Sequence, residues 1–129
     1  MKTFSLVGRK LCLFQPIIFL LIGASATFTV SGDIIETKTI RISEGKKLTF
    51  DRKTGNCLAC HAIGLGKGSG NLAPPLFEMK ERFPDTDKLT RQISNSLLGN
   101  QDSVMPPFGL HGILSKDEIS KIVDYLYTL

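Results

Sequence analysis

The chain has 129 residues, enough for one domain. Its formal net charge is +4 at pH 7, but three of its 16 Lys and Arg residues lie within the first ten positions. From position 27 onward, 13 basic residues stand against 12 acidic ones, a net charge of +1, and no basic stripe with interleaved aromatic residues remains. This composition excludes a nucleic-acid-binding domain of the usual basic kind.

The first 26 residues have the three-part layout of a secretory signal peptide. A basic start precedes an apolar run, and the small residues "ASA" at positions 24 to 26 fit a signal-peptidase site. Residues 11–30 are uncharged and just long enough to span a bilayer, so an uncleaved membrane anchor is the alternative. Polar residues and Pro16 weaken that span, so we expect cleavage and a periplasmic protein. Lipid attachment at Cys12 is not expected, because basic residues precede it.

The segment after the signal predicts an arm followed by the start of the domain. Residues 27–42 are polar and β-branched without a clear period, which indicates an extended N-terminal arm before a domain over residues 43–129. Ser43 favours the start of a short helix ending near Lys53, because its hydroxyl can cap the first turn.

Two further helices are predicted in the middle of the chain. Pro75 can begin a short helix that stops near Phe83. Thr86 or Asp87 can cap the next helix, which Gly99 would end. Its apolar face has side chains spaced four apart, at Leu89, Ile93 and Leu97.

The last predicted helix has the clearest pattern. The residues "SKDE" at positions 115 to 118 have the spacing of a capping box. Apolar residues follow at helical spacing, at Ile119, Ile122, Val123 and Leu126. No strand pattern longer than a few residues is present, so the sequence predicts an all-α fold.

The chemistry-bearing motif is "CLACH" at residues 57–61, which has the C-x-x-C-H spacing of haem c attachment. Two thiols three positions apart on a turn, Cys57 and Cys60, can each form a thioether with one haem vinyl group. The adjacent His61 then projects onto the iron as the proximal ligand. Export agrees with this interpretation, because haem c is attached outside the cytoplasm.

Three other uses of Cys57 and Cys60 are weaker. A disulfide between them would close almost no loop and would add little stability. A thioredoxin-like redox pair would need a βαβ setting, which the pattern lacks. A structural zinc site needs four ligands, and the exported chain adds just His61 and His111 at an unsuitable spacing. The predicted cofactor is therefore haem c, one per chain.

The second axial ligand has three candidates. Met79 lies in a predicted helix and is more typical of a core residue, whereas His111 lies in a loop and is more typical of a surface imidazole. Met105 lies in "VMPPFG", where two prolines stiffen the backbone. We predict Met105 as the ligand, with His111 next. Ligation by Met and His raises the reduction potential relative to two histidines and leaves no open position for a substrate.

The loop after the motif predicts support for the proximal histidine. A backbone carbonyl near Pro74 could accept the Nδ1 proton of His61 and fix its tautomer. Leu76 would then pack on the haem edge. The alternative is that Pro74 and Pro75 serve only to start a helix. For Pro75 the two roles are compatible.

With these residues in place, the chain resembles the class I c-type cytochromes, and more narrowly the SoxX family. The resemblance implies three to five helices around one covalently bound haem. The stretches that carry the resemblance span most of residues 43–129, and they are "KTGNCLACHAI", "GNLAPPL", "RFPD", "VMPPFG" and "LSKDEISKIVDYLYTL".

The resemblance implies a role in thiosulfate oxidation. SoxX is the small monohaem subunit of the SoxAX complex, an L-cysteine S-thiosulfotransferase whose catalytic haem belongs to the larger SoxA subunit. This chain would take electrons from a SoxA-like partner and pass them to a soluble cytochrome c. No catalytic residue is expected here, because Cys57 and Cys60 are both consumed by thioethers.

A free-standing periplasmic electron carrier is the alternative. Such carriers commonly surround the haem edge with lysines for electrostatic docking. Residues 92–115 contain no Lys or Arg, which favours a more apolar and stable contact. No nucleic acid is expected as a partner, and a membrane is expected only if the signal stays uncleaved.

Overall fold

A computed structural model describes residues 31–64 and 68–129, with the backbone alone for residues 31–33. The predicted signal peptide, residues 1–26, lies outside the described residues. Within the described ranges, no helix combines the length and the apolar character that crossing a bilayer requires.

Four α-helices make up the described part of the chain, with two short 3₁₀ turns at Cys57–Ala59 and Ser96–Leu98. These residues form no β-strand, and a single isolated bridge joins Ile63 to Leu76. The predicted all-α fold is confirmed. The helices are α1 (Ser31–Phe50), α2 (Met79–Arg82), α3 (Thr86–Ser94) and α4 (Lys116–Leu126).

The structure corrects the prediction for the segment before the C-x-x-C-H motif. The predicted extended arm, residues 27–42, is helical over its described part, because residues 31–42 are the first half of α1. Ser43, expected to cap a helix, lies inside α1, which ends at Phe50 rather than Lys53. The second half of α1 packs against α4. Residues 31–42 extend this packed helix, and extending a helix costs less free energy than starting one.

The middle helices are shorter than predicted. Helix α2 begins at Met79 and not at Pro75, because Glu78 has a left-handed backbone with φ 49° that separates the two. Asp85 caps α3, and its carboxylate accepts a hydrogen bond from the Asp87 backbone N–H at 2.9 Å. The helix stops at Ser94, before the predicted end at Gly99.

The prediction for α4 is confirmed. The Ser115 hydroxyl accepts a hydrogen bond from the Glu118 backbone N–H at 3.3 Å, and the Glu118 carboxylate accepts one from the Ser115 N–H at 2.8 Å. The predicted apolar face is buried, at Ile119, Ile122, Val123 and Leu126. Helix α4 therefore supplies the centre of the core.

Helices α1 and α4 cross at very close range at Gly45. A Cβ atom at this position would overlap the backbone carbonyl of Lys121 and lie 3.0 Å from the backbone nitrogen of Ile122. Arg41 donates to the Asp124 carboxylate at 2.8 Å, one turn before the crossing. Because this ion pair is partly exposed, it adds little to stability.

We expect Gly45→Ala to lower the free energy of unfolding of the haem-loaded protein by about 3 kcal/mol, because backbone atoms of α4 have no room to yield. The measurement is guanidinium unfolding followed by far-UV circular dichroism. Gly99→Ala is the matched control: there the added Cβ would meet the flexible Gln92 side chain at 3.2 Å. Its expected change is within about 0.5 kcal/mol, and equal losses in both variants would contradict the close crossing.

Candidate haem site

The C-x-x-C-H motif forms a tight turn directly after α1. Asn56 has a left-handed backbone with φ 44°, and the 3₁₀ turn Cys57–Ala59 follows it. The Cys57 carbonyl accepts hydrogen bonds from the backbone N–H groups of Cys60 at 3.2 Å and His61 at 2.9 Å. These bonds fix the spacing of the two thiols and the imidazole.

A cavity of about 840 Å³ opens beside this turn. Its walls are mostly apolar and come from the motif, the following loop, α2, α3, α4 and the loop that carries Met105. Its size is within the range of cofactor sites, about 300–1,000 Å³. The cavity is lined by all six predicted cofactor residues, Cys57, Cys60, His61, Pro74, Leu76 and Met105.

His61 makes the predicted contact with the loop after the motif. Its Nδ1 atom lies 2.6 Å from the Pro74 carbonyl oxygen. Because a carbonyl can accept a hydrogen bond but not donate one, Nδ1 carries the proton and Nε2 is the nitrogen with a free lone pair. This is the tautomer that suits a metal-ligating histidine.

The same loop is tied back to the motif by its backbone. The N–H of Leu76 donates to the Ala62 carbonyl at 2.8 Å, and that of Ala73 donates to the Cys60 carbonyl at 3.0 Å. Leu76 is half-buried and lines the cavity, so it is available to pack on a bound group as predicted.

Within the described residues, Cys57 and Cys60 are the two cysteines, and both are free thiols. Burial raises the pKa of the Cys57 thiol to about 11, which keeps it protonated at neutral pH. Reactive cysteines need the opposite shift. The described residues also contain no group of three or more His, Cys, Asp or Glu side chains that could hold a metal ion. The raised pKa of Cys57 disfavours the redox alternative.

The three candidates for the second axial ligand differ in position. Met105 is half-buried and lines the cavity. Met79 also lines it, but is 2% exposed and packed in the core, with its sulfur 3.7 Å from a guanidinium nitrogen of Arg82. His111 is exposed and is not among the lining residues. Met105 stays the predicted ligand.

Arg82 is a site residue that the sequence pattern did not identify. Its guanidinium donates to the carbonyl of Pro75 at 2.8 Å and to that of Phe77 at 3.2 Å, and lies 5.3 Å from the centre of the Phe77 ring. It thereby holds the loop that carries Pro74 and Leu76. The sequence analysis included Arg82 only as part of "RFPD", and no spacing pattern in that stretch predicts these contacts.

The residues present fit a covalently bound haem. Both thiols, a histidine with a defined tautomer and a thioether line a single cavity whose walls are mostly apolar. When bound, haem supplies an iron centre that gains and loses one electron. Cys57 and Cys60 would hold it covalently, and His61 would ligate its iron.

Comparison with known proteins identifies the family. The family model for cytochrome c oxidase, cbb3-type, subunit III matches residues 42–126. An uncharacterized lipoprotein of Aquifex aeolicus (strain VF5) is 36% identical over 77 residues, which are 58% of this chain and 37% of that protein. The chain thus spans well under two thirds of this relative's length. Cytochrome c domains are typically extracytoplasmic.

The family match and the cavity agree with each other. The family model spans 85 of the 129 residues and includes the motif, both loops and all of α4. The chain therefore belongs to the class I cytochrome c family and carries a cytochrome c domain, which implies a covalently bound haem and a role in electron transfer.

Proposed function

We propose that this chain is an exported electron-transfer subunit that carries one haem c. Thioethers from Cys57 and Cys60 would hold the haem, and His61 and Met105 would ligate its iron. The observation that supports this most directly is that these four side chains line one cavity although Met105 is more than forty positions from the motif.

Each ligand has a defined task. The bond from His61 Nδ1 to the Pro74 carbonyl orients the ring and leaves Nε2 free for iron. The thioether of Met105 favours the reduced iron and raises the reduction potential relative to two histidines. With both positions filled by protein atoms, no open site remains for a substrate, so electron transfer is the function.

We expect Met105→His to abolish the far-red absorption band of methionine-ligated ferric haem. It should also lower the reduction potential by on the order of 0.1 V, because imidazole stabilises ferric iron. Visible spectra and a potentiometric titration measure both. Met79→Leu is the control and should keep the band. If the band survived in the Met105 variant and disappeared in the Met79 variant, Met79 would be the ligand.

Haem number and export are tested by one intact mass of the purified protein. We expect residues 27–129 plus a single haem, because one C-x-x-C-H motif holds one haem and the signal ends at Ala26. The relative from Aquifex is called a lipoprotein, so a lipid on Cys12 is the alternative outcome. A mass that retains residues 1–26, or that includes lipid, would overturn cleavage at this site.

We further propose that the chain works as the SoxX-like partner of a larger cytochrome in thiosulfate oxidation. Once Cys57 and Cys60 are consumed, the exported chain has no thiol to bind sulfur, so the sulfur chemistry belongs to the partner. The methionine side of the domain suits a stable contact: Leu98, Val104 and Leu110 are 74%, 79% and 61% exposed. The namesake of the matched family is itself an oxidase subunit, which supports assembly into a complex.

Gentle periplasmic purification followed by size exclusion tests this proposal. We expect the haem absorbance to elute with a larger haem protein and the complex to be reduced by thiosulfate. Elution at monomer size, without reduction after the periplasmic fraction is added back, would favour a free-standing carrier. Elution with a terminal oxidase, without thiosulfate dependence, would favour an oxidase subunit.

A pair of surface variants locates the contact. Leu110→Glu should weaken the complex at least tenfold, because it buries a charge in an apolar interface. Ile35→Glu is the matched control, since Ile35 is 69% exposed on the first half of α1, away from the cavity. Loss of the complex in the control alone would place the contact on α1 instead.

A further inference from the structure

The loop that carries Met105 has no regular helix of its own. This methionine loop, defined here as residues 99–114, runs from the 3₁₀ turn Ser96–Leu98 to the cap of α4. Two prolines stiffen it locally, but they cannot attach it to the rest of the domain. Other contacts must hold the thioether at the cavity.

The first such contact comes from Ser96. Its side chain is fully buried, and its hydroxyl donates to the Met105 backbone carbonyl at 2.6 Å. This bond joins the residue predicted to bind iron directly to the turn that ends α3. The Met105 N–H has a second partner within the loop, the Ser103 hydroxyl at 3.3 Å.

The second contact comes from the backbone of Ser94. Its carbonyl accepts hydrogen bonds from the N–H groups of Gly109 and Leu110, both at 3.0 Å. The approach is close, since a Cβ atom on Gly109 would overlap the Ser94 hydroxyl oxygen and lie 3.1 Å from the Ser94 Cα. The loop is therefore attached to the end of α3 on both sides of the two prolines.

We propose that Ser96 is a positioning residue that keeps Met105 on the haem iron, an inference that rests on the proposed role of Met105 as ligand. Without the hydroxyl, the Met105 carbonyl has to turn outward to find water, because an unpaired carbonyl is costly in a part-buried site. That rotation carries the thioether away from the cavity. Ser96 thus sets how often the sixth iron position opens.

Imidazole is the probe, because it binds the ferric iron only when Met105 has left. Its apparent dissociation constant is the intrinsic constant divided by the open fraction. We expect Ser96→Ala to raise the open fraction and tighten imidazole binding about tenfold, which corresponds to about 1.4 kcal/mol. The far-red methionine band should disappear at correspondingly lower imidazole concentrations.

Ser94→Ala is the matched control, because it removes a hydroxyl two positions away and keeps the carbonyl that Gly109 and Leu110 use. We expect wild-type imidazole affinity in this control. A purely structural role of Ser96 would lower the denaturant midpoint but leave imidazole affinity in dilute buffer unchanged. That result, or equal tightening in Ser94→Ala, would overturn the proposal.

Two further measurements keep the proposal separate from the assignment of Met105. Gly109→Ala crowds Ser94 and should also tighten imidazole binding, which provides a second test if Ser96→Ala is produced poorly. If the wild-type protein has no methionine band, or Met105→His retains it, the ligand assignment fails. If the band behaves as expected but Ser96→Ala and Gly109→Ala both bind imidazole like wild type, only the role of Ser96 fails.

Discussion

The close crossing of α1 and α4 at Gly45 is the constraint on which the site depends. Because the two backbones nearly touch there, the end of α1 is fixed relative to the apolar face of α4. A short turn, residues 51–56, joins α1 to the C-x-x-C-H motif, while Ile122 and Leu126 of α4 line the cavity. The α1–α4 pair therefore positions Cys57 and Cys60 beside the apolar cavity wall that α4 forms, against which a flat apolar group could pack.

Two further parts of the cavity wall are loops, and polar side-chain-to-backbone bonds hold them. Arg82 holds the carbonyls of Pro75 and Phe77 on the histidine side, and Ser96 holds the carbonyl of Met105 on the opposite loop. Such bonds are individually modest, and only the Met105 carbonyl lies in a part-buried position where losing its partner is costly. Loops held in this way keep a defined position and can still open locally without unfolding the helix pair.

The sequence predicted residues that the structure brings to one cavity, whereas it predicted the bounds of the helices less well. Spacing rules located α4 and its capping box, and the fixed chemistry of C-x-x-C-H pointed to Cys57, Cys60 and His61. The first half of α1 was missed because residues 31–40 have no apolar periodicity and continue a helix whose packed part lies further along. Arg82 and Ser96 were not predicted because they bond to backbone carbonyls. Every residue has a backbone carbonyl, so the sequence does not show which one will be the partner.

The distribution of charge around the cavity is relevant to the proposed role as an intermediate carrier with two partners. On one side, the end of α1 and the following turn place exposed basic residues, Arg52 and Lys53, at the cavity lining. On the other side, residues 92–115 have no Lys or Arg and expose apolar side chains. An apolar face suits a lasting contact, whereas a charged face speeds brief encounters with an acidic partner. A subunit that accepts electrons from a bound cytochrome and passes them to a soluble one needs both kinds of face, whereas a free carrier could use a single charged face for both exchanges.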